Sequence, residues 1–297
     1  MIKIIMEVWI LLHSYIQTCV ESYLIGFLKL GKIPQHVAFI MDGNRRYARK
    51  KSLQPHQGHA FGFEQLHQTL DWSMKLGVKV VTVYAFSIDN FKRSQIEIDT
   101  IFDLAERKFD EFLKEDALIQ KHGICVKLIG NLELLRQTTK DAAYKLMWNT
   151  RNNVNATLYI ACPYTSIEEM NTVLGGIYQN LQQTNIGISD ITREFIGKCL
   201  YTKEPLDLLI RTSGEVRLSD FMLWVSNGCT VHFIQTLWPE FTLFDMLPIL
   251  ISYQFRSKEL NIMRTDSISN LSEKTQKYLN DLHSERIRCC QPSNSNH

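Results

Sequence analysis

The sequence predicts an α/β domain built on a mostly parallel central sheet of about six strands, flanked by helices. Six short runs rich in Val and Ile alternate with long stretches of helical periodicity, and most of these runs are continuously apolar. Continuously apolar strands are typical of a sheet buried on both faces, and β-then-α alternation is typical of parallel sheets. The strand-like runs are residues 37–41, 80–86, 124–129, 156–161, 208–210 and 231–234.

Helical periodicity recurs along the chain, and three parts of the chain are predicted from it. They lie near residues 59–76, 95–121, 132–150, 166–182 and 188–199, and a further helical pattern runs from Pro248 to about residue 287. We expect an amphipathic N-terminal helix in residues 1–30 and one main domain in residues 31–260. Residues 261–297 are expected to form a C-terminal helix and a disordered tail.

The composition excludes several classes of protein. The chain has 297 residues, 45% of them hydrophobic, and a formal net charge of +2. Nucleic-acid-binding proteins generally carry a strongly basic face, whereas basic charge here is local, at residues 45–51, so we expect no nucleic-acid partner. The 7 cysteines are scattered without a CxxC pair, which favours reduced thiols over a zinc site or a disulfide framework.

The first 30 residues predict an amphipathic helix. Apolar side chains recur at helical spacing between Leu12 and Leu28, and a polar stripe runs beside them. A spanning helix needs about 20 apolar residues without such a stripe. The pattern fits a helix on a membrane surface or one packed against protein, and a short spanning anchor stays open. The stripe consists of Ser14, Gln17, Thr18, Glu21 and Ser22.

Polar residues suited to phosphate follow three of the predicted strands, where ligands bind in open α/β sheets. The first segment, residues 39–46, runs from an apolar strand into Asp42, a glycine and a basic helix start. Amides at a helix N-terminus bind phosphate, arginines add charge-assisted hydrogen bonds, and a carboxylate with phosphate oxygens suits Mg²⁺. Taken alone, this segment also fits an Asp–Gly turn with solvated arginines.

The second and third segments share this character. Residues 84–93 end a strand in hydroxyl, amide and cationic side chains, and residues 208–219 place two arginines and a serine around a glycine turn. Paired arginines with a hydroxyl suit a diphosphate. The alternatives are a helix cap in the second segment and Arg–Glu pairing on a surface loop in the third. The sequence carries no Walker A loop, GxGxxG, HExxH or GxSxG.

Together, these segments resemble the signature regions of the cis-prenyltransferases. The matching segments are residues 36–51, 58–62, 81–94 and 207–224, and the likeness covers about residues 32–255. The runs Asp-Gly-Asn-Arg-Arg-Tyr-Ala and Arg-Thr-Ser-Gly-Glu-Val-Arg-Leu-Ser-Asp-Phe are most similar to the dehydrodolichyl type. The sequence lacks the Asp-Asp-x-x-Asp metal motif of the all-helical trans-prenyltransferases.

The resemblance implies an enzyme that condenses isopentenyl diphosphate onto an allylic diphosphate, farnesyl diphosphate. The product would be a long-chain polyprenyl diphosphate of the dehydrodolichyl type, for dolichol synthesis and protein glycosylation. Residues 31–260 would be the catalytic domain, with an apolar tunnel for the growing chain. Asp42 would hold the cofactor Mg²⁺ against the allylic diphosphate.

The resemblance also implies a role for each site residue. Ser87 and Asn90 match positions near the reacting carbons, where help with proton removal has been proposed, and they complete a catalytic set with Asp42, Asn44 and His59. The allylic diphosphate site comprises Gly43, Asn44, Arg45, Arg46, Tyr47, His59 and Phe91. The isopentenyl diphosphate site comprises Arg93, Arg211, Arg217 and Ser219.

The chain departs from the family pattern at three positions. Pro55 stands where many members have an arginine that contacts the allylic diphosphate, and Ile167 stands where an arginine is usual. Thr230 replaces a glutamate that is a second metal ligand in bacterial members, an acid that the dehydrodolichyl types also lack. The departures at Pro55 and Ile167 concern how active the enzyme is.

The resemblance implies a dimer of the catalytic fold, with a non-catalytic sister subunit that supplies a C-terminal Arg-x-Gly. This chain ends in Cys-Cys-Gln-Pro-Ser-Asn-Ser-Asn-His, so we expect a catalytic subunit that needs this partner. The expected location is the cytosolic face of the endoplasmic reticulum membrane, held peripherally or by the N-terminal helix.

Two alternative functions stay open at this point. The chain could be a non-catalytic scaffold or regulatory subunit of the same family, although residues 42–46 are intact. It could also be a membrane-surface protein that binds anionic lipid through residues 1–30 and the basic run at residues 45–51.

Overall fold

The computed structural model of the chain describes residues 2–114, 117–181, 186–265 and 271–291. Its centre is a six-stranded, all-parallel sheet in the order β3-β4-β2-β1-β5-β6. This confirms the predicted fold class. The strands are β1 (His36–Ile40), β2 (Val80–Tyr84), β3 (Ile124–Ile129), β4 (Ala156–Ala161), β5 (Leu208–Arg211) and β6 (Thr230–Phe233).

Ten helices of the described chain surround this sheet. Eight connect or follow the strands, and the first and last lie at the two ends of the chain. They are α1 (Ile2–Leu28), α2 (Asn44–Lys50), α3 (Pro55–Leu76), α4 (Gln95–Phe112), α5 (Leu118–His122), α6 (Gln137–Thr150), α7 (Ser166–Leu181), α8 (Arg193–Cys199), α9 (Leu243–Thr265) and α10 (Glu273–Cys289).

Several helices are shorter than the sequence pattern predicts. The stretch predicted at residues 95–121 contains α4 and α5 as separate helices, and α6 begins only at Gln137, after a short 3₁₀ turn. The last predicted helix, expected to start at Pro248, instead starts at Leu243, because Thr242 and Asp245 exchange capping hydrogen bonds there. Pro248 therefore lies inside α9. The boundary predicted at residues 260 and 261 therefore falls within a helix.

The strand register places the carboxyl ends of β1 and β5 side by side. Ile40 of β1 pairs with Arg211 of β5, and Tyr84 of β2 pairs with Ile40 on the other side. The segments after β1, β2 and β5 therefore leave the sheet along one edge. These are the three segments that the sequence singles out for phosphate.

Two apolar layers cover the two faces of the sheet. The larger contains side chains from α1, α3, α4, α6 and α9, including Phe102 and Phe109, together with Trp238 from the 3₁₀ turn before α9. The smaller lies on the opposite face and contains Tyr159, Tyr164 and Phe221. The predicted tunnel for a growing chain would lie in the larger layer and stays a prediction.

The helix α1 packs against the domain in an unexpected orientation. Its last turns bury Ile25 and Leu28. Further towards the N-terminus, the polar stripe faces α3, where Nε1 of Trp72 donates to Oε2 of Glu21 at 3.3 Å. Most of the apolar side chains before Leu28 are solvent-exposed, although Leu24 packs against the larger apolar layer. The exposed ones are Trp9, Leu12, Tyr15, Ile16, Val20, Tyr23 and Phe27.

Two findings concern the expected membrane helix and the expected disordered tail. Of the helices in the described chain, none is long and apolar enough to cross a membrane. The predicted disordered tail falls mainly on residues 292–297, which lie outside the described residues.

Candidate active site

Asp42 lies at the centre of the site, two residues beyond the end of β1. Its Oδ2 accepts a hydrogen bond of 2.9 Å from Nη2 of Arg211 and lies 3.7 Å from Nη2 of Arg46. The backbone carbonyl of Asp42 is held by Oγ1 of Thr212 at 2.6 Å and by the amide of Trp238 at 3.0 Å. The carboxylate is therefore fixed on its backbone and flanked by two arginines.

These neighbours keep Asp42 ionised. Burial alone raises the pKa of a carboxyl group, but hydrogen bonds from Arg211 and Ser213 and the charges of Arg211 and Arg46 outweigh it, and the pKa of Asp42 is lowered. About a third of the side chain is exposed, at 32%. An ionised and accessible oxygen ligand is thus present where the sequence predicts a metal.

The helix α2 begins directly after this acid through a glycine in a left-handed conformation. Gly43 has φ 115, and a Cβ there would lie 3.1 Å from the Cα of Leu237, so only glycine fits without strain. The side chain of Asn44 points back towards α3, where its Oδ1 is buried and has no hydrogen-bond partner among the described residues. Buried acceptors are rarely left unpaired in proteins, so this oxygen marks the start of α2 as an unusual position.

The close approach of α2 and α3 depends on two further glycines. A Cβ at Gly58 would lie 2.3 Å from the backbone oxygen of Asn44, and one at Gly62 would lie 2.2 Å from Oδ1 of Asn44. The carbonyl of Gly62 also accepts a hydrogen bond of 2.7 Å from Nε1 of Trp238. The Gly-His-Ala-Phe-Gly run of the sequence therefore positions Asn44.

The loop after β5 wraps around the guanidinium of Arg211. Nη1 of Arg211 donates to Oγ of Ser219 at 2.7 Å and to the backbone oxygen of Arg217 at 2.5 Å, and Arg211 is only 4% exposed. The side chain of Arg217 instead points outwards and pairs with Glu215. The structure thus brings Arg211 and Ser219 together and leaves Arg217 at the surface.

Four residues of this loop are non-glycine residues with positive φ. They are Ser213, Ser219, Asp220 and Met222. Such conformations are uncommon and cluster at functional sites. Ser213 additionally accepts a hydrogen bond from Nη2 of Arg46, so the loop connects the segments that follow β1 and β5.

A second cluster, centred on Glu97, gathers three of the predicted site residues. Its carboxylate lies 2.9 Å from Nη1 of Arg93, 3.9 Å from Nη1 of Arg45 and 4.0 Å from Nε2 of His59. Glu97 stands in the first turn of α4, where Oγ of Ser94 accepts from its amide. One acid thus organises three nitrogen-bearing side chains from three different segments.

His59 is a neutral side chain in this environment. Burial and the charge of Arg93 lower the pKa of His59 to about 4, although the charge of Glu97 acts in the opposite direction. Its Nε2 atom is buried without a hydrogen-bond partner in the described chain. A neutral imidazole can donate or accept one hydrogen bond here, but it adds no positive charge at neutral pH.

Ser87 and Asn90 form a cap, as the alternative interpretation of their segment predicts. Oδ1 of Asn90 accepts from the amide of Ser87 at 3.2 Å, and Oγ of Ser87 accepts from the amide of Asp89 at 3.2 Å. They enclose the 3₁₀ turn Ile88–Lys92. A capping role and a role near substrate are compatible, because this turn lies at the carboxyl end of β2.

The two aromatic candidates pack on their neighbours. The Tyr47 ring meets the Phe61 ring edge-on at 5.5 Å, which joins α2 to α3. The Phe91 ring lies 5.0 Å from Phe86 and 6.2 Å from Phe102, at the rim of the larger apolar layer. Phe91 therefore stands where polar and apolar surfaces meet.

The three departures from the family pattern have different surroundings. Pro55 is the first residue of α3, a position that suits proline. Ile167 is exposed at the start of α7, and its amide donates to Oδ2 of Asp220 at 3.3 Å. Thr230 begins β6 and pairs with Leu208, so it lies at the opposite end of the strands from Asp42.

Two residues of this arrangement escaped the sequence analysis. They are Glu97, which holds the second cluster together, and Ser213, which links Arg46 to the loop. Glu215 pairs with Arg217, as the alternative interpretation of the third segment predicts, and it also lies 3.7 Å from Arg46. Ser213 and Glu215 stand inside the third segment, so their place in that segment was a usable indication. Glu97 has no comparable indication beyond its spacing of four residues from Arg93 on a helix.

The groups around Asp42 fit a magnesium ion that takes a carboxylate ligand from the protein and further ligands from a substrate. Among the described residues, no group of three His, Cys, Asp or Glu could hold a metal ion alone. Mg²⁺ usually binds through one or two carboxylates plus substrate phosphates and water. Asp42 is one ionised, partly accessible carboxylate, so the residues present are compatible with such an ion.

Comparison with known proteins relates this geometry to a family. The family profile described as "Putative undecaprenyl diphosphate synthase" matches residues 40–261. The dehydrodolichyl diphosphate synthase complex subunit DHDDS of Homo sapiens is 40% identical over 82% of this chain and 74% of its own length. The tritrans,polycis-undecaprenyl-diphosphate synthase (geranylgeranyl-diphosphate specific) of Pyrococcus abyssi is 38% identical over 80% of this chain and 90% of its own length.

Solved structures share the fold. Lavandulyl diphosphate synthase from Lavandula x intermedia, in complex with dimethylallyl diphosphate, superposes with a TM-score of 0.70 and 30% identity, covering 74% of this chain and 95% of that one. A probable undecaprenyl diphosphate synthase from Campylobacter jejuni gives a TM-score of 0.61 at 23% identity, over 75% and 95% of the two chains. With the profile match and the curated relatives, these findings show that the chain belongs to the cis-prenyltransferase family of enzymes.

Proposed function

We propose that the chain condenses isopentenyl diphosphate onto an allylic diphosphate, farnesyl diphosphate, and makes a long-chain polyprenyl diphosphate of the dehydrodolichyl type. The product would supply dolichol synthesis and protein glycosylation. The observation that carries the proposal is the meeting of an ionised carboxylate and two arginines beyond the ends of β1 and β5, with Oδ2 of Asp42 2.9 Å from Arg211 and 3.7 Å from Arg46. This group can hold a diphosphate and its cation together.

The segment after β1 is assigned to the allylic diphosphate. Its amides from Gly43 to Arg46 begin α2, and Asn44 carries a side-chain NH₂ group that can donate to phosphate oxygens. Arg45 and His59 reach the same region from the Glu97 cluster. Tyr47 and Phe91 would border the apolar part of the substrate.

The segments after β2 and β5 are assigned to isopentenyl diphosphate. Arg93, Arg211 and Ser219 have their polar groups directed inwards, while Arg217 has its side chain at the surface and would have to turn to reach a ligand. The charge of Asp42 acts on Arg93, which places the two clusters within electrostatic reach. Ser87 and Asn90 would lie between the two diphosphates.

The chemistry follows from these charges. The allylic carbon–oxygen bond breaks, and its electron pair leaves with the diphosphate. A carbon–carbon bond forms to isopentenyl diphosphate, and one proton leaves the new chain. Negative charge therefore grows on the departing diphosphate, where Arg46 and the α2 amides can stabilise it. His59 is neutral and can accept or donate one hydrogen bond beside it. Ser87 and Asn90 are the candidates to assist departure of the proton.

Magnesium, bound by Asp42 and the allylic diphosphate, would neutralise charge on the leaving group. The chain's own contribution is to keep Asp42 ionised through Arg211 and Arg46 and to fix its backbone through Thr212 and Trp238. The growing hydrocarbon would extend into the larger apolar layer, past Phe91.

Product analysis tests this function. The chain is incubated with farnesyl diphosphate and labelled isopentenyl diphosphate, with and without Mg²⁺, alone and with a co-expressed sister subunit. We expect long-chain polyprenyl diphosphate only with Mg²⁺ and the sister subunit. Full activity of the lone chain would contradict the partner requirement, and absence of product under every condition would contradict the catalytic role.

We also propose that α1 rests on the cytosolic surface of the endoplasmic reticulum membrane. Its polar side faces α3, and its exposed side carries Trp9, Tyr15 and Tyr23 among aliphatic residues. A helix that only packs on its own domain turns its apolar side inwards. Aromatic rings with a polar edge favour the membrane interface, so a lipid surface is the occupant that this face suits.

The alternative of a non-catalytic scaffold is supported by Pro55 and by Ile167, whose side chain is exposed and whose amide donates to Asp220. The ordered environment of Asp42 and the Glu97 cluster favour catalysis, because a scaffold does not require either. The same product assay separates the two. A lipid-binding role alone would leave vesicle binding as the only activity.

A further inference from the structure

A cavity of about 680 Å³ lies between α10 and the neighbouring strands β3 and β4, closed at its sides by α6 and α7. None of the residues of the Asp42 and Glu97 clusters lines it. Its volume is within the range of about 300–1,000 Å³ that small-molecule sites occupy. The cavity is therefore large enough for a ligand and separate from the proposed active site.

Five basic side chains line this cavity. Arg151, just after α6, lies over the Trp148 ring, and the other four come from three further parts of the chain. Lys127 comes from β3, Lys203 from the loop before β5, and His283 and Arg286 from α10. Arg286 is held in place because its guanidinium donates to the carbonyls of Cys199 at 2.7 Å and Leu200 at 2.9 Å. Nζ of Lys127 lies 5.3 Å from the centre of the Tyr159 ring.

Lys127, Lys203 and Arg286 act on one another and on His283, and Arg286 also acts on Glu169. Burial, then the charges of Lys127 and Arg286, lower the pKa of Lys203. Burial, then the charges of Lys203, Lys127 and Arg286, lower the pKa of His283. Within the described chain, no carboxylate lies at ion-pair distance from Lys127, Lys203 or Arg286. Such a cluster favours an anion, which relieves the mutual repulsion.

The acids around the cavity do not remove this excess. Glu133 pairs with Lys140, and Oε1 of Glu168 accepts from Thr172 while its Oε2 is buried without a partner. Glu204 raises the pKa of Lys203 less than the two basic neighbours lower it. Glu285 also lines the cavity. An anion would approach from the side of the four basic groups.

The lining also includes an apolar and aromatic set from α6 and α10. It contains Tyr144, Met147, Trp148, Leu282 and Ile287. A cavity lined by both cationic groups and apolar side chains is suited to a molecule with an acidic head and a hydrocarbon part.

We propose that this cavity binds a phosphate group at Lys127, Lys203, His283 and Arg286, carried either by a lipid whose chain lies against the apolar side chains of α6 and α10 or by free phosphate. The inference does not depend on the proposed catalytic function. A phosphate has the charge and the acceptor oxygens that ammonium and guanidinium groups bind. Arg286 links the ligand to α8 through its carbonyl contacts, so α10 would be fixed more firmly when the site is filled.

Calorimetric titration of the full chain tests the site. The two probes are dihexanoyl phosphatidate below its critical micelle concentration and inorganic phosphate. We expect saturable binding of one equivalent. The double variant Lys127→Met/Lys203→Met should bind at least tenfold more weakly, and the single variant Lys203→Met should show a smaller loss. The matched control is Lys277→Met, an exposed lysine of α10 that does not line the cavity, which should bind like the unchanged chain.

The outcomes separate the ligand sources and the sites. Tight binding of phosphatidate alone identifies a lipid, and equal binding of inorganic phosphate identifies free phosphate; both support the site. The binding should persist in Arg93→Gln, because Arg93 belongs to the Glu97 cluster. Failure of both probes to bind the unchanged chain would overturn the proposal, as would unchanged binding in a folded double variant.

Discussion

Nη2 of Arg211 lies 2.9 Å from Oδ2 of Asp42, so a buried guanidinium and a partly exposed carboxylate neutralise each other at the ends of two neighbouring strands. Arg211 would otherwise be an uncompensated charge, because it is only 4% exposed. The remaining hydrogen bonds of its guanidinium go to Ser219 and the backbone of Arg217. Asp42 thus stabilises Arg211 in addition to its proposed role as a metal ligand.

Replacement of this acid is the first test. Asp42→Asn should lower kcat by about 100-fold or more, the order of effect seen when one group that stabilises developing charge is removed. The reason is the loss of the anionic metal ligand with nearly unchanged shape. Incorporation of labelled isopentenyl diphosphate by the active preparation measures the change. Asp89→Asn, an exposed acid paired with Lys92, is the control and should keep its rate; undiminished product from Asp42→Asn contradicts the proposal.

The pH dependence of stability should report on His59. Its pKa is about 4 in the folded chain, below the value of about 6.5 for an unfolded histidine. Between these values the unfolded chain binds more protons, so the free energy of unfolding falls as the pH drops. From about pH 7 to about pH 5, His59 should account for a loss of about 2 kcal/mol.

Urea unfolding of the unchanged chain and of His59→Gln at both pH values measures this contribution. Other buried histidines, such as His36, also have a lowered pKa, so the comparison between the two chains isolates His59. The variant should lose less stability on acidification. Equal losses in both chains would show that His59 titrates normally in the folded state.

The Glu97 cluster predicts a change in substrate binding. Glu97→Gln removes the charge that holds Arg93 at 2.9 Å, and a hydrogen bond to a charged group contributes about 1.5–3 kcal/mol. We expect KM for isopentenyl diphosphate to rise about tenfold or more, because Arg93 loses its fixed position. Asp99→Asn, a half-buried acid of the same helix that accepts from Gln95, should leave KM unchanged. An unaltered KM in Glu97→Gln would remove Glu97 from the site.

The contact between α2 and α3 predicts an effect of one methyl group. In Gly62→Ala the new Cβ would meet Oδ1 of Asn44 at 2.2 Å, so the amide of Asn44 has to turn away. We expect a loss of activity larger than the loss of stability, since the moving group is a proposed diphosphate ligand. The measurements are kcat and the thermal midpoint.

The control for this variant is Gly175→Ala. Nothing lies within 4 Å of a Cβ at Gly175 in α7, and alanine favours a helix over glycine by about 1 kcal/mol. This variant should be as active as the unchanged chain and slightly more stable. Full activity of Gly62→Ala would mean that the Asn44 side chain is free to move without consequence.

The exposed stripe of α1 predicts membrane binding. Changing Ile16, Val20 and Phe27 to serine should reduce sedimentation with vesicles of mixed neutral and anionic phospholipid by at least tenfold, because apolar area drives such binding. Gln17→Ala/Thr18→Ala alters the side that faces α3 and should leave sedimentation unchanged. Retained binding after loss of the stripe would assign this face to another occupant.

The strands were predictable because their composition is local information. Runs such as residues 124–129 and 156–161 are mostly apolar, each with one polar residue, Lys127 or Thr157, and the structure has β3 and β4 at these positions. The ends of helices were less predictable, since periodicity does not report caps. The left-handed cap at Gly123 ends α5, and the Thr242–Asp245 cap starts α9 five residues before Pro248.

The candidate site was predictable wherever its residues share a short segment. Asp42, Arg211 and Ser219 lie in segments that end strands of one sheet, and the structure brings all three together. Glu97 was not predictable, because its contacts with Arg45 and His59 depend on how α2, α3 and α4 pack. The outward direction of Arg217 likewise depends on its neighbour Glu215.

The pairing of β1 with β5 ties the site to completion of folding. Asp42 and Arg211 are separated by 169 positions in the chain, and they meet only when Ile40 and Arg211 are in register. A nascent chain in which β5 has not yet paired with β1 therefore lacks the proposed diphosphate site. A substrate that binds there would stabilise only the completed sheet, and so protect the mature protein against unfolding and proteolysis.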